Sequence, residues 1–484
     1  MARTFRQLLG INAGKEWDQL YNQNNPYGYN PLRNIFSHVR SFHLMEDDYP
    51  KGELPSTAKP DVRFPEQGGW GRMNNYHARY QKWSKDFESI RVSLTGISSY
   101  DKLTKKVSMR KFPNKWYSKA DLGGDFERIK ANAKRYGLAF FQLHVPKEKR
   151  IAPLISTLEI GNEPWGDTGI EGYRGMIKGI IEAYQEYYGQ FPVLTLSSAA
   201  FQAHQPKHIW KCRHCDYPSG DYVAKVLDAE IIRSIHELNV HPYSFLIGTT
   251  QLTEPPESES SDFSHAKSMF AYRDRLQRPD LKISATEFGW DSGTVGEVAQ
   301  AAYTIRNVLM MASMGFHQCY LYEGLDNPAL KSLYGSSGLF RVHLPGRHIR
   351  QPKLIYKSLL QFMNLLGDME MQAAWQENEA AYLYLLGGGN GQKYLVAWRP
   401  LKIAKDDDGN QTSWIKIPDW FQQKKLRLDT HFHQLDGKIT LDDKLRCQKQ
   451  GQLYATKDYM LKEGSSVQLK LSAIPYVFPL LSSG

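Results

Sequence analysis

Cysteine is scarce in this chain, with four among 484 residues, too few for a disulfide-stapled scaffold. Two stand close together in Lys211-Cys212-Arg213-His214-Cys215, with His204 and His208 just upstream. Ligand type and spacing there admit a zinc site. Prolines, a glycine and polar residues mark the segment as a long loop, however, and a local disulfide or two free thiols fit it as well. Cys319 and Cys447 read as small buried apolar groups. Long apolar runs are also missing. None approaches the roughly 20 residues that a bilayer requires, so no membrane insertion is expected. Met1-Ala2-Arg3-Thr4 runs almost directly into Leu8-Leu9-Gly10-Ile11 without a secretory signal. A secreted or periplasmic protein in its mature form is expected ahead of a cytoplasmic one. Acidic residues are outnumbered, 51 against 61 basic, for a formal net charge of +10. The excess is spread along the chain and forms no arginine-rich arm, which argues against nucleic acid and suits an acidic polymer better. Gly10-Ile11-Asn12-Ala13-Gly14 does not match a phosphate-cradling glycine loop, so an open nucleotide-binding sheet is disfavoured. Asp406-Asp407-Asp408-Gly409-Asn410 lacks the twelfth-position glutamate of a calcium loop and reads as a turn. Neither a cofactor nor a bound metal is expected.

Aromatic residues are plentiful, at 12% with 28 tyrosines and 11 tryptophans. Flat rings with a polar edge suit sugar stacking, although they serve equally well to fill cores. From residue 8 to 366, short β-rich runs alternate with helical stretches, the pattern of βα units around parallel strands. Eight such runs occur, at 9–12, 36–42, 90–94, 155–161, 193–197, 237–241, 282–286 and 317–322. Helical patterns are expected over Tyr76 to Glu88, over Glu297 to Met314, and over Pro352 to Leu366 with a stop at Gly367. The predicted fold for 1–367 is an α/β, (β/α)8 TIM barrel. Beyond it the texture changes. Tyr382 to Leu386 and Tyr394 to Trp398 flank a glycine-rich turn and make a hairpin, and short strands follow near 414–417, 453–456 and 467–471. Residues 368–484 therefore read as a C-terminal antiparallel β-sandwich, expected to pack on the barrel because an isolated hairpin is only marginally stable.

In such a barrel, chemistry is carried by residues at the carboxyl ends of strands. The fourth run ends in Glu159-Ile160-Gly161-Asn162-Glu163-Pro164-Trp165, and the seventh in Thr286-Glu287-Phe288-Gly289-Trp290-Asp291. Two carboxyls so placed could flank a glycosidic bond, one protonating the leaving oxygen and one attacking the anomeric carbon. Glu159 reads as structural, pointing the other way on its strand.

Asn-Glu-Pro after a fourth strand and Glu-Phe-Gly after a seventh resemble the signature of clan A glycoside hydrolases, across residues 8–366. The resemblance implies a retaining enzyme with Glu163 as acid/base and Glu287 as nucleophile. By the same likeness Tyr243, in His241-Pro242-Tyr243 after the sixth strand, matches the tyrosine that hydrogen-bonds the nucleophile, and His241 lies nearby. Asn162 matches the asparagine on the sugar 2-hydroxyl, and Arg40 matches the arginine beside the nucleophile. The chain departs from the clan after strand eight, where Tyr322-Glu323-Gly324 stands in place of a tryptophan platform. Tyr322 could replace the platform, and Glu323 could bind a hydroxyl or pair with a cation such as Arg40. Trp165 and Trp290 are expected to stack on sugar, while Trp70 and Trp116 divide evenly between stacking and packing. His43 and His144 could line the cleft or lie hydrogen-bonded in the core.

Long loops near 44–75, 97–118 and 200–222 would wall a cleft for several sugar units, so endo action on a β-linked polysaccharide is expected. A β-1,3-glucan is the first expectation, with agarase- or porphyranase-type cleavage of algal galactans as the alternative. A non-catalytic carbohydrate-binding barrel and a metal-dependent hydrolase are the rival classes. The chain is expected to act as a monomer on a polysaccharide or oligosaccharide.

Overall fold

The computed structural model describes residues 3–13, 27, 30–45, 71–95, 97–101, 106–110, 126–145, 153–164, 170–189, 193–202, 222–327, 333–343, 348–417, 427–463 and 466–481. All eight expected barrel strands form. They are β1 (Leu9–Ala13), β2 (His38–Leu44), β3 (Ser89–Thr95), β4 (Thr157–Ile160), β5 (Thr195–Gln202), β6 (Glu237–His241), β7 (Lys282–Phe288) and β8 (Cys319–Leu321). Their hydrogen-bonded order is β1-β8-β7-β6-β5-β4-β3-β2 in a closed barrel. The pairings β2–β3, β3–β4, β4–β5, β5–β6, β6–β7 and β1–β8 are all parallel. Inter-residue contacts divide the chain into two compact units, 1–37 with 242–264 and 287–484, and 38–241 with 265–286.

Within the second unit the strands alternate by face. Ile90, Val92, Leu94, Leu158, Ile160 and Leu196 are buried apolar residues, while Arg91, Ser93, Glu159 and Ser197 between them are buried and polar. The polar set faces the barrel interior. Arg91 Nη2 on β3 lies 2.6 Å from Glu237 Oε1 on β6, three strands away, a reach possible only across the lumen. Glu159, expected on the opposite face, belongs to this interior set. Arg40 Nε and Nη2 grip its two oxygens at 2.9 and 2.6 Å, and Ser93 Oγ donates to it at 3.2 Å. Buried charges need partners because only their attraction to an opposite charge and its hydrogen bonds offset the cost of leaving water.

The helices include α1 (Gly71–Trp83), α2 (Phe126–His144), α3 (Ile170–Tyr188), α4 (Ser268–Arg275), α5 (Glu297–Met314) and α6 (Leu354–Leu366). Here α1 starts and stops earlier than the apolar spacing predicts. Ser84, Asp86 and Phe87 donate back to Tyr80 and Trp83 in successive turns, and these reverse the chain into β3. Among the described residues of 369–481, two antiparallel sheets face each other, and Thr440–Leu441 and Cys447–Lys449 pair as a separate two-stranded sheet. The larger contains β9 (Met369–Glu377), β10 (Tyr382–Gly388), β11 (Lys393–Trp398) and Tyr476–Leu481, and the smaller contains Ser413–Ile417, Met460–Glu463 and Ser466–Leu471. Leu383, Leu395, Phe432 and Phe478 meet Ile417, Val467, Leu469 and Leu471 between them, making a sandwich. The expected β10–β11 hairpin forms and pairs Tyr382 with Trp398. Residues 406–410 form a turn, in which Gly409 and Asn410 donate to Asp407 and Asp408.

Candidate active site

Strand β4 stops at Ile160 because Gly161 has φ +93°, where a Cβ would also approach the Tyr173 ring to 3.1 Å. The turn it opens carries Asn162 and Glu163. Asn162 Oδ1 accepts from Arg40 Nη2 at 2.7 Å. Because guanidinium only donates, the amide orientation is set, and the Asn162 N–H groups are its remaining donors.

Glu163 is 41% exposed at its side chain and lies 2.6 Å from His241 Nδ1. The rest of the network decides where the proton sits. Asn239 Nδ2 donates to the Ser198 carbonyl, so Asn239 Oδ1 is the atom that accepts the Thr286 hydroxyl at 3.0 Å. The Thr286 oxygen therefore accepts from His241 Nε2, also 3.0 Å away. A neutral His241 in that tautomer has a bare Nδ1, which can only accept from a protonated Glu163. One proton is thus shared between Glu163 and His241. This carboxylate–imidazole pair is also of metal-ligand type, but hydrogen bonds engage both imidazole nitrogens.

Thr286 is followed on β7 by Glu287, which belongs to the other compact unit. There Glu287, 7% exposed, accepts from Tyr243 Oη at 3.0 Å. Tyr243 follows His241 by two residues, and one short segment supplies a partner to each carboxylate. After Phe288, Gly289 has φ +148°, and a Cβ there would lie 2.6 Å from the Tyr322 carbonyl. Tyr322 N–H donates to the Phe288 carbonyl at 2.8 Å, joining the end of β7 to the chain beyond β8. Tyr334, to which no sequence pattern pointed, packs tilted against Tyr243 and edge-on against Tyr322, with ring centroids 5.5 Å from each. Its position after β8, among small polar residues, leaves no periodic signal. Glu323 is buried.

Trp290 corrects the expectation of a sugar-stacking ring. It is 1% exposed, donates to the Glu254 carbonyl at 2.9 Å and packs edge-on against Tyr303, so no face is open to a ligand. His43 and His144 are core residues: His43 stacks on Tyr76 and bonds Tyr80, and His144 pairs with His77. Trp165, Trp70, Trp116, Cys212, Cys215, His204 and His208 lie outside the described residues.

Solved glycoside hydrolases share this fold. Solved structures of that kind match almost the whole chain. One is a family 39 glycoside hydrolase from the gut symbiont Bacteroides cellulosilyticus, at 15% identity and TM-score 0.61, covering 99% of this chain and 81% of that one. Another is a glucosidase from Croceicoccus marinus, at 11% and 0.56, covering 99% and 97%. A third is the catalytic domain of a family 30 xylanase from Talaromyces cellulolyticus, at 10% and 0.51, covering 100% and 98%. At these identities the likeness establishes the fold. No family model matches the sequence, and no curated protein matches it.

Proposed function

We propose that this chain is a retaining, endo-acting glycoside hydrolase of a β-linked polysaccharide, with a β-1,3-glucan as the first substrate to test. The observation that carries the reading is the divided hydrogen bonding of the two glutamates. Glu163 shares a proton with His241, whereas Glu287 accepts a hydrogen bond from Tyr243. Retention needs that split. In the first step Glu287 attacks the anomeric carbon while Glu163 gives its proton to the departing glycosidic oxygen. In the second, Glu163 takes a proton from water, whose oxygen displaces Glu287 from the sugar and restores both groups. Asn162, oriented by Arg40, is placed to donate to the 2-hydroxyl. We further propose that residues 368–484 form the accessory domain, and that the enzyme acts outside the cytoplasm as a monomer. No helix among the described residues is long and apolar enough to cross a membrane.

The test is a reducing-end assay over β-glucans, mannans, xylans and algal galactans. Activity on one polymer, reduced about a thousand-fold or more in both Glu163→Gln and Glu287→Gln, is expected. Azide rescue of Glu163→Ala should give a glycosyl azide of retained configuration. Turnover indifferent to both glutamates would refute the assignment, and cleavage of agar or porphyran alone would replace the glucan.

A further inference from the structure

The segment that follows β6, residues 242–264, carries Tyr243 near its start and is held further along, at Glu254 and Glu257, by the C-terminal domain. Glu257 is 3% exposed, and the Arg306 guanidinium of α5 grips both its oxygens, with Nε 2.6 Å from Oε1. Trp398 Nε1, at the end of β11, donates to the same Oε1 at 2.6 Å. Arg306 in turn donates to the Leu401 carbonyl at 3.0 Å and the Ala473 carbonyl at 3.5 Å, both beyond residue 368. Lys402 Nζ reaches Glu254 at 2.6 Å, and the Glu254 carbonyl is the acceptor of the Trp290 indole. Tyr243, Phe245, Leu252 and Trp290 share one buried cluster with Ile403, Ala473 and Ile474. The support beneath the tyrosine on Glu287 is therefore built partly from the sandwich.

We propose that the C-terminal domain is part of the catalytic apparatus, with Glu257 as a positioning residue that Trp398 and Arg306 fix so that Tyr243 meets Glu287. The proposal rests on the glycosidase reading above. A buried carboxylate bound by three donors on two elements is rigid, and small misplacements of a catalytic group are costly in rate. Loss of the clamp should lower turnover more than binding.

Trp398→Phe removes the indole N–H and keeps an aromatic ring. With the polymer identified above, kcat should fall about ten-fold with KM within about two-fold. The pH profile of kcat/KM should change in the same direction as that of Tyr243→Phe measured beside it. The double variant should be no slower than Tyr243→Phe alone, because both changes act through one contact. Lys402→Met, at a half-exposed site, should show the same split at smaller size and covers the case in which Trp398→Phe fails to fold. Additive losses, or folded variants with unchanged kcat and pH profile, would overturn the proposal. Amide hydrogen exchange over 242–264 separates the two ideas. If the wild type cleaves none of the polymers, faster exchange there in the Trp398→Phe chain still supports the clamp, and unchanged exchange refutes it.

Discussion

A proton's location on Glu163 depends on a hydroxyl two side chains away. Thr286 directs its hydrogen to Asn239, which leaves its oxygen for His241 Nε2 and thereby empties Nδ1. Replacing His241 with Phe removes the acceptor that stabilises protonated Glu163, so the basic limb of the pH–rate profile should move to lower pH. Movement the other way would mean that the resting pair is imidazolium and carboxylate. Burial has a separate consequence in the barrel lumen. Glu237 pairs with Arg91 where neither reaches solvent, and Glu237→Ala should cost about 3–5 kcal/mol in chemical denaturation by stranding the guanidinium. A charge-removing double variant, Arg91→Met with Glu237→Leu, should recover part of it.

At the scale of elements, strand ends decide where chemistry is presented. Gly289→Ala would push a methyl against the Tyr322 carbonyl at a backbone angle that disfavours side chains, and about 1–3 kcal/mol of stability should be lost. Thermal unfolding would measure it. The contact of β2, α1 and α2 should also respond to pH. His43, His77 and His144 meet there among Tyr76, Tyr80 and Phe140, with Arg79 over the Tyr76 ring. Burial holds His144 well below the usual 6.5, with the neighbouring histidines acting the same way, and burial lowers His77 too. Both groups are depressed in the folded state. Their contribution is intact above the unfolded value of 6.5 and declines as pH falls below it, because only the unfolded chain takes up the protons. Melting temperature should drop between pH 7 and pH 5, and His144→Phe should flatten that slope.

For the whole molecule, the sandwich and part of the barrel share one compact unit and one buried cluster. A chain ending at 367 would expose the Tyr243–Trp290 cluster once Ile403, Ala473 and Ile474 are gone. It should be insoluble or unfold well below the full chain in calorimetry. A truncated barrel with wild-type melting would separate the sandwich from the barrel's stability.

The eight strands, the C-terminal hairpin and the positions of Glu163 and Glu287 were legible because alternation, turn residues and short motifs are local properties of the chain. Period-two alternation gives each strand two faces, yet Glu159 showed that it does not say which one turns inward. That was decided by Arg40, 119 residues away along the chain. Trp290 lies three residues past Glu287 and looked like a sugar platform, but Tyr303 and the Glu254 carbonyl took up its ring and its N–H. Tyr334 carried no pattern at all and gained its place only by packing between two other tyrosines. Sequence alone determined which elements form and which carboxyl groups their ends present. Tertiary structure decided how those groups are hydrogen-bonded and supported, because their partners and packed rings are supplied by residues remote in the chain, and no local pattern encodes them.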